Sequence, residues 1–484
     1  MGVYIQDISL TIPLVVLFLL SMVPVAVKVI GGNEEPRPLM TFIFGIAAIG
    51  LTAVAVSLRA TNEITLAFEN TVVYSPLIKL TTVFLILSAL FTALLAYRHP
   101  AIPKNQYSEH MFLFLNTLLG MFVLVYSHDL ILTFVGIELL SLPLYVLIGI
   151  GGNSVIPKES SFKYFVLGSF ASAFLLFGTA FIYGATQSTD ISTILENGEK
   201  SNQLYLTMGV MIFLIGLFFK VALVPFHAWL PDVYQGAPTP ITAFMATSVK
   251  IVIFVFLLGF VPVIRLVESH AVIYVLQWVA ILTMFFGNLI ALKQNNFKRM
   301  LAYSSISHSG YLFLGIIAAV LGVDDASVHG IMYYLLTYLF MTLGAFAIVC
   351  LYEKSEDSEL TIDHLKGLAK SNPWLAAALS VLLLSLAGIP PFGGFFAKLF
   401  LFSSAIQAEQ FWLVVWAVIS SVIGVYYYLR PIVYMYMKEK EIQEEFVQNH
   451  SAGAIATVVF SVVMIILLGF AAQPFLAKII HTGV

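Results

Sequence analysis

The stretch LFFKVALVPFHAWLPD, residues 217–232, places a cation and an imidazole in an apolar run: Lys220, then Pro225, then His227. A charged amine in hydrocarbon costs roughly 2.5 kcal/mol or more, so such groups face a bundle interior or a hydrated path. The chemistry open to them is proton exchange. Burial favours the uncharged amine and a nearby carboxylate favours the ammonium, so a counter-charge that moves changes proton occupancy. The chain repeats this residue type at Lys163 in KESSFKYFVLGS, Lys250 in ATSVKIVIF and Lys398 in SLAGIPPFGGFFAKLF. Its one acid placed deep in an apolar run is Glu138, in FVGIELLSLPLY.

Glu138 is therefore the counter-charge to pair. Lys163 is the nearest candidate in sequence, because a short loop makes their two helices antiparallel neighbours. At about 1.5 Å per residue the two residues sit at different depths, an offset the side chains must span. One reading is a static ion pair that sets packing, with little net stabilisation because desolvation offsets attraction. The other is a Lys163 that moves between Glu138 and a more distant position, so that Lys220 feels a changing field. His308, in LAYSSISHSGYLFLG, follows several hydroxyls, and imidazole relays protons because it titrates near neutrality. As single intramembrane histidines, His227 and His308 each also fit a packing role. Lys220, Lys250, His308 and Lys398 would form a line of polar stations across a bundle.

The elements that must position these groups are membrane helices. Of 484 residues, 60% are hydrophobic and 10% charged, far below the roughly 25% charged of a soluble domain. About fourteen apolar segments have spanning length: 9–30, 38–58, 74–97, 110–127, 129–150, 160–185, 205–229, 239–262, 271–293, 300–322, 328–352, 374–404, 410–436 and 454–473. The fold class expected is an all-α polytopic membrane protein, one integral membrane domain over 1–484. The longest polar connections, 186–204, 353–373 and 437–453, are too short for a separate domain. The start, MGVYIQDISL, lacks a basic n-region, so the first apolar segment is expected to be retained as a helix.

Alternate connections hold thirteen Lys and Arg against four: Lys28, Arg37, Arg98, Lys104, Lys158, Lys293, Lys298, Arg299, Lys354, Lys366, Lys370, Lys438 and Lys440 against Arg59, Lys200, Arg265 and Lys478. By the positive-inside rule the first set is cytoplasmic and, with an even number of spans, both termini lie outside. Six of 23 basic residues remain within spans: Lys79, Lys163, Lys220, Lys250, Lys398 and Arg430. Lys79 and Arg430 lie near span ends, where a long stem can reach the interface.

Pro225 lacks the amide hydrogen for an internal helical bond, so the seventh span must kink or unwind over 221–226. Pro390 and Pro391, among Gly388, Gly393 and Gly394, interrupt the twelfth just before Lys398. Such irregular backbone is tolerated in a membrane only against protein or a water-filled cavity. The breaks are five helices apart. The chain accordingly divides into 1–109 with three helices, repeats over 110–262 and 271–436, and a last helix at 454–473. A five-helix unit followed by its copy must be inverted, the arrangement that places transporter ion sites at broken helices.

The sole cysteine, Cys350, excludes an internal disulfide and a four-cysteine iron–sulfur cluster. Neither a phosphate-binding loop nor a dinucleotide fingerprint is present. His227 and His308 lie about eighty residues apart with no supporting haem motif. No cofactor or metal is expected in this chain.

At GIELLSLPLYVLIG and PFHAWLPDVYQGAPTPITAF, and over nearly its whole length, the sequence resembles the antiporter-like subunits of respiratory complex I, most closely the N type of bacterial NADH:quinone oxidoreductase. The glutamate and the seventh-span lysine are shared with M and L types and with cation/proton antiporter subunits. The lysine in the twelfth span departs from the M type, and no long lateral C-terminal helix of the L type is present. The resemblance implies fourteen helices, two inverted five-helix repeats and proton translocation in a bacterial inner membrane, driven by electron transfer elsewhere. It implies Glu138 and Lys163 as the modulating pair, Lys220 as the central proton carrier, Lys250 as the connecting lysine and Lys398 as the station toward the far side, with His227 and His308 assisting. Implied partners are the other membrane-arm subunits (M, L and K types), the peripheral arm and the bilayer, without nucleic acid. NADH, FMN, iron–sulfur clusters and quinone would reside on partner subunits. The rival readings are a sodium- or potassium-coupled antiporter subunit, a relative of complex I with another electron donor, and a scaffold whose polar axis is structural.

Overall fold

The computed structural model describes residues 2–32, 38–58, 64–150, 154–267, 269–353, 359–439 and 451–474. Arg37, Arg59, Lys354, Lys440 and Lys478 of the charge count lie outside the described residues. Among these residues thirteen helices are long and apolar enough to cross a membrane. The apolar segment 374–404 is two shorter helices instead, Pro373–Ala387 and Gly393–Gln407. A small antiparallel hairpin, Thr65–Ala67 with Val72–Tyr74, interrupts the helical pattern in the connection before Pro76–Ala96.

Local chemistry sets where the site-bearing helices begin and end. Asp129 starts Leu130–Gly149, its carboxylate accepting the Ile131 and Leu132 amides at 2.8 and 3.0 Å. Asn296 caps Phe297–Val320 through the Arg299 amide at 3.0 Å. The helix Gln203–Lys220 stops at Lys220, and the chain runs through turns before Trp229–Gly236 resumes the helix. Ala222 there takes a left-handed φ of 55°, a position that normally favours glycine.

The most enclosed helices are Thr239–Arg265, counted as one span, Phe297–Val320 and Asp324–Tyr352, almost wholly buried inside the protein. Val155–Thr186, His270–Ala291 and Phe411–Met437 instead turn rows of large apolar side chains outward. A membrane bundle of this kind gains little from burying apolar surface against lipid, so close packing and polar contacts decide which helix goes inside. Gly120 against the Leu139–Leu140 backbone and Gly178 against Phe213 are two such close approaches.

Candidate functional site: a buried line of lysines, histidine and tyrosines

Lys220 is the last residue of its helix, 2% exposed, and its ammonium donates to Ser141 Oγ at 2.9 Å. Ser141 lies one turn beyond Glu138 on Leu130–Gly149, so the lysine and the acid share one pocket. Glu138 accepts a hydrogen bond from the Ser172 hydroxyl of Val155–Thr186. The break after Lys220 has its freed backbone groups satisfied. Trp229 Nε1 donates to the Phe219 carbonyl at 3.0 Å, and the Val224 amide donates to Thr283 Oγ1 at 2.9 Å.

The expected Glu138–Lys163 pair is absent from this structure. Lys163 reaches the other way, with its ammonium 2.7 Å from Glu159 and 3.0 Å from Asp232, its side chain 41% exposed. The reason is depth. Lys163 sits on the turns of Val155–Thr186 nearest the loop, where two acids and solvent lie closer than the mid-helix Glu138. Asp232 also accepts from Arg299 at 2.7 Å, so one carboxylate ties the Lys163 helix to Phe297–Val320. Burial pushes the Asp232 carboxyl up, but Arg299 and Lys163 outweigh it and hold it below the ordinary range. A depressed value means this tie is complete above the ordinary carboxylate range and is lost as pH falls through the lowered value. Replacing Asp232 by Asn should therefore free Lys163 and Arg299 from their common anchor. We expect about 1 kcal/mol or less of stability to be lost, since the pairs are partly exposed. Thermal unfolding of the detergent-solubilised protein measures the loss.

Lys250 follows a single π-turn, Met245–Val249, on its otherwise α-helical span. Such turns expose a carbonyl and recur at functional sites. The ammonium donates to the Ser305 carbonyl and stands 3.5 Å from the Tyr338 hydroxyl, over whose ring it lies at 4.9 Å. Tyr338 in turn donates to Ser305 Oγ at 3.0 Å.

His308 is 1% exposed and held between two phenols, Tyr334 at Nδ1 (2.6 Å) and Tyr428 at Nε2 (3.1 Å). A neutral imidazole donates from one nitrogen and accepts at the other. A proton taken at the acceptor and released from the donor therefore crosses the ring. Tyr428 also bonds Ser304 and packs on Tyr427, ring centroids 4.3 Å apart. Tyr427 donates to Asn288 Oδ1 at 2.9 Å, and the Asn288 amide donates to Tyr311 (3.1 Å) and to Ser420 Oγ (2.8 Å).

The line closes on Lys398, whose ammonium donates to Ser421 Oγ and to the Ala387 carbonyl, both at 2.9 Å, over the Tyr311 ring at 5.1 Å. Ala387 ends the first half of the broken twelfth span, so the lysine on the second half satisfies a carbonyl that the break orphaned. The rings of His308 and Tyr338, centroids 5.1 Å apart, close the step from Lys250, so Lys250, His308 and Lys398 are joined through hydroxyls, rings and the Asn288 amide. Lys220 stays apart with Ser141 and Glu138.

His227 lies in the turns of the first break, half-buried, with Phe286 6.4 Å away between ring centroids. The structure does not bring it into the line. Arg430 reaches a connection, donating to the Asn295 side chain at 2.6 Å, as a residue near a span end does. Sequence reasoning missed the tyrosines at 311, 334, 338, 427 and 428. Their signal was spacing: Tyr334 and Tyr338 are four apart and Tyr311 follows His308 by three, each pair on one helical face.

The family described as NADH:quinone oxidoreductase/Mrp antiporter, TM, matches residues 127–424, which contain Glu138, Lys220, Lys250, His308 and Lys398. The chain belongs to that family. Within this quinone oxidoreductase/antiporter family, a protein named NADH-quinone oxidoreductase subunit N from Bdellovibrio bacteriovorus is 44% identical, the match covering 98% of each chain. A chain of respiratory complex I from Thermus thermophilus superposes with a TM-score of 0.80 at 31% identity, covering 96% of this chain and 99% of that one. A chain of an archaeal membrane-bound sulfane sulfur reductase superposes with a TM-score of 0.84 at 25% identity, covering 99% and 97%.

Proposed function

We propose that this chain is the N-type, proton-translocating subunit of the membrane arm of a bacterial NADH:quinone oxidoreductase. The buried run from Lys250 through His308 to Lys398 carries this reading, because it strings exchangeable protons through a region where charge is otherwise too costly to place. The name and extent of the relative from Bdellovibrio bacteriovorus favour NADH as the electron source of the assembly. In this reading NADH, FMN, iron–sulfur clusters and quinone sit on partner subunits, other membrane-arm subunits flank this chain, and both termini face the periplasm.

Electron transfer elsewhere supplies the work, and this chain's residues supply the path. Lys220 loads a proton beside Glu138 while Lys163 is parked on Asp232. A Lys163 that swings toward Glu138 competes for the acid and weakens the hold on the Lys220 proton. Lys250 receives the proton, His308 passes it between Tyr338, Tyr334 and Tyr428, and Lys398 delivers it toward the other side. The test is Lys220→Ala in membrane vesicles, following NADH-driven acidification and assembly together. Acidification should fall on the order of tenfold, the effect of about 1.4 kcal/mol on a barrier, with the complex intact. Unchanged pumping by a fully assembled complex would remove Lys220 from the proton path.

A further inference from the structure

A second buried cluster lies outside this line, at the end of the bundle where the larger set of lysines and arginines gathers. His99, in the connection after Pro76–Ala96, places Nε2 3.0 Å from Glu353 Oε2. The Lys298 ammonium stands 3.5 Å from Glu353 Oε1, and the Thr239 hydroxyl donates to that same oxygen at 2.6 Å. Lys298 also donates to the Ala237 carbonyl at 2.8 Å. All four residues are buried, none more than 6% exposed. Three titratable groups have thus been drawn from three distant parts of the chain into one water-poor pocket. A buried ion pair returns little stability for that arrangement, because desolvation offsets attraction.

The cluster shares its helices with the Lys250 station. Thr239 opens the helical span that carries Lys250, eleven residues or about 16 Å further on. Lys298 is two turns before Ser305 on one helix, and Glu353 directly follows the helix of Tyr338. The three strands of the pocket are therefore the three helices whose Lys250, Ser305 and Tyr338 meet deeper in the bundle. At the deeper level the Tyr234 hydroxyl lies close to Ser305 and Tyr338.

We propose that His99, Glu353 and Lys298 form the entry point at which protons from the lysine-rich side reach the Lys250 station. The assignment rests on the proton-translocating reading above. The Ala101 amide donates to His99 Nδ1 at 3.3 Å, which leaves Nε2 as the protonated nitrogen of the neutral ring. An incoming proton bonds Nδ1 and displaces that weak contact. The Nε2–H bond then breaks toward Glu353 Oε2, returning a neutral imidazole and leaving a neutral carboxylic acid. Burial pushes the Glu353 carboxyl up, but Lys298, His99 and Thr239 outweigh it and hold it below the ordinary range, so the acid passes its proton on rather than keeping it. Other titratable groups facing the cluster are Cys350, beside Glu353 and Lys298, and buried His110, beside His99.

The test uses vesicles containing the whole complex and compares Glu353→Gln, Glu353→Asp, His99→Gln and Lys220→Ala. With Glu353→Gln, NADH-driven acidification should fall on the order of tenfold at an unchanged amount of complex, and its dependence on pH at the lysine-rich side should flatten. Glu353→Asp should restore both rate and pH profile, and His99→Gln should reproduce the flattened profile. A purely structural cluster predicts the reverse: pumping that tracks the amount of complex in every variant and a pH profile that never moves. That result overturns the entry point. Should Glu353→Gln fail to assemble, the His99→Gln profile decides alone, flattened in support and unmoved against. Pumping lost in Lys220→Ala but normal in Glu353→Gln would sink only the entry assignment, whereas normal pumping by a fully assembled Lys220→Ala complex would remove Lys220 from the path that the proposed function draws.

Discussion

Lys250→Met is expected to lower proton translocation and the quinone reduction coupled to it by on the order of tenfold or more, the effect of about 1.4 kcal/mol or more on a barrier, while leaving the complex assembled. The ammonium is 2% exposed, and the groups that hold it are a carbonyl and a phenol rather than a carboxylate. An unpaired charge in that setting is a net cost to folding, so an apolar side chain of similar length should leave stability unchanged or raise it. What methionine removes is the exchangeable proton. Lys250→Arg sharpens the prediction, because a guanidinium keeps its charge at any accessible pH and does not release a proton. If charge alone mattered, the arginine variant would pump. If proton release matters, it fails as methionine does. Acidification assays on vesicles with matched amounts of complex separate the two, and wild-type pumping by the arginine variant would refute the proposed role.

The second large effect belongs to Gly394. The two halves of the broken twelfth span pass so closely that a Cβ at 394 would run into the Ser385 carbonyl, and the Gly394 amide already donates to Ser385 Oγ at 3.1 Å. Backbone has no flexible end to give way, so Gly394→Ala must displace Gly393–Gln407 and with it the Lys398 bond to Ala387. Overpacking of this kind costs about 1–3 kcal/mol. The expected result is a marked loss of assembled complex, read on native gels, with any surviving complex impaired in pumping. Gly50, which has open space where a Cβ would stand, is the control whose alanine variant should assemble normally. Equal assembly of both variants would show that the close approach at 394 is unimportant.

How much of this was legible beforehand differs from residue to residue. Lys220, Lys250 and Lys398 stood out because charge in an apolar run is rare enough to identify itself. Pro225 and the Pro390–Pro391 pair marked the breaks, since a missing amide hydrogen ends a helix whatever surrounds it. Nearness in sequence pairs Lys163 with Glu138, but it carries no account of Asp232, 69 residues away and brought beside Lys163 by the break. Lys298 was counted among the cations of a connection, yet it is buried, because the helix that begins at Phe297 docks on Ala237. The tyrosines around His308 were invisible for a related cause: 22 tyrosines in a membrane protein read as ordinary interface residues until several helices aim four of them, Tyr311, Tyr334, Tyr338 and Tyr428, at one imidazole.

By itself, the sequence determined that this chain lies in a membrane, where its helices run, where two of them break, and that lysines are left in oil. Each of these follows from local composition and backbone chemistry. The tertiary structure decided which carboxylate holds Lys163, that hydroxyls and rings join Lys250 to Lys398, and that His99, Glu353 and Lys298 meet in one pocket. Those are contacts between residues tens to hundreds of positions apart, and only the packing of whole helices brings them within reach.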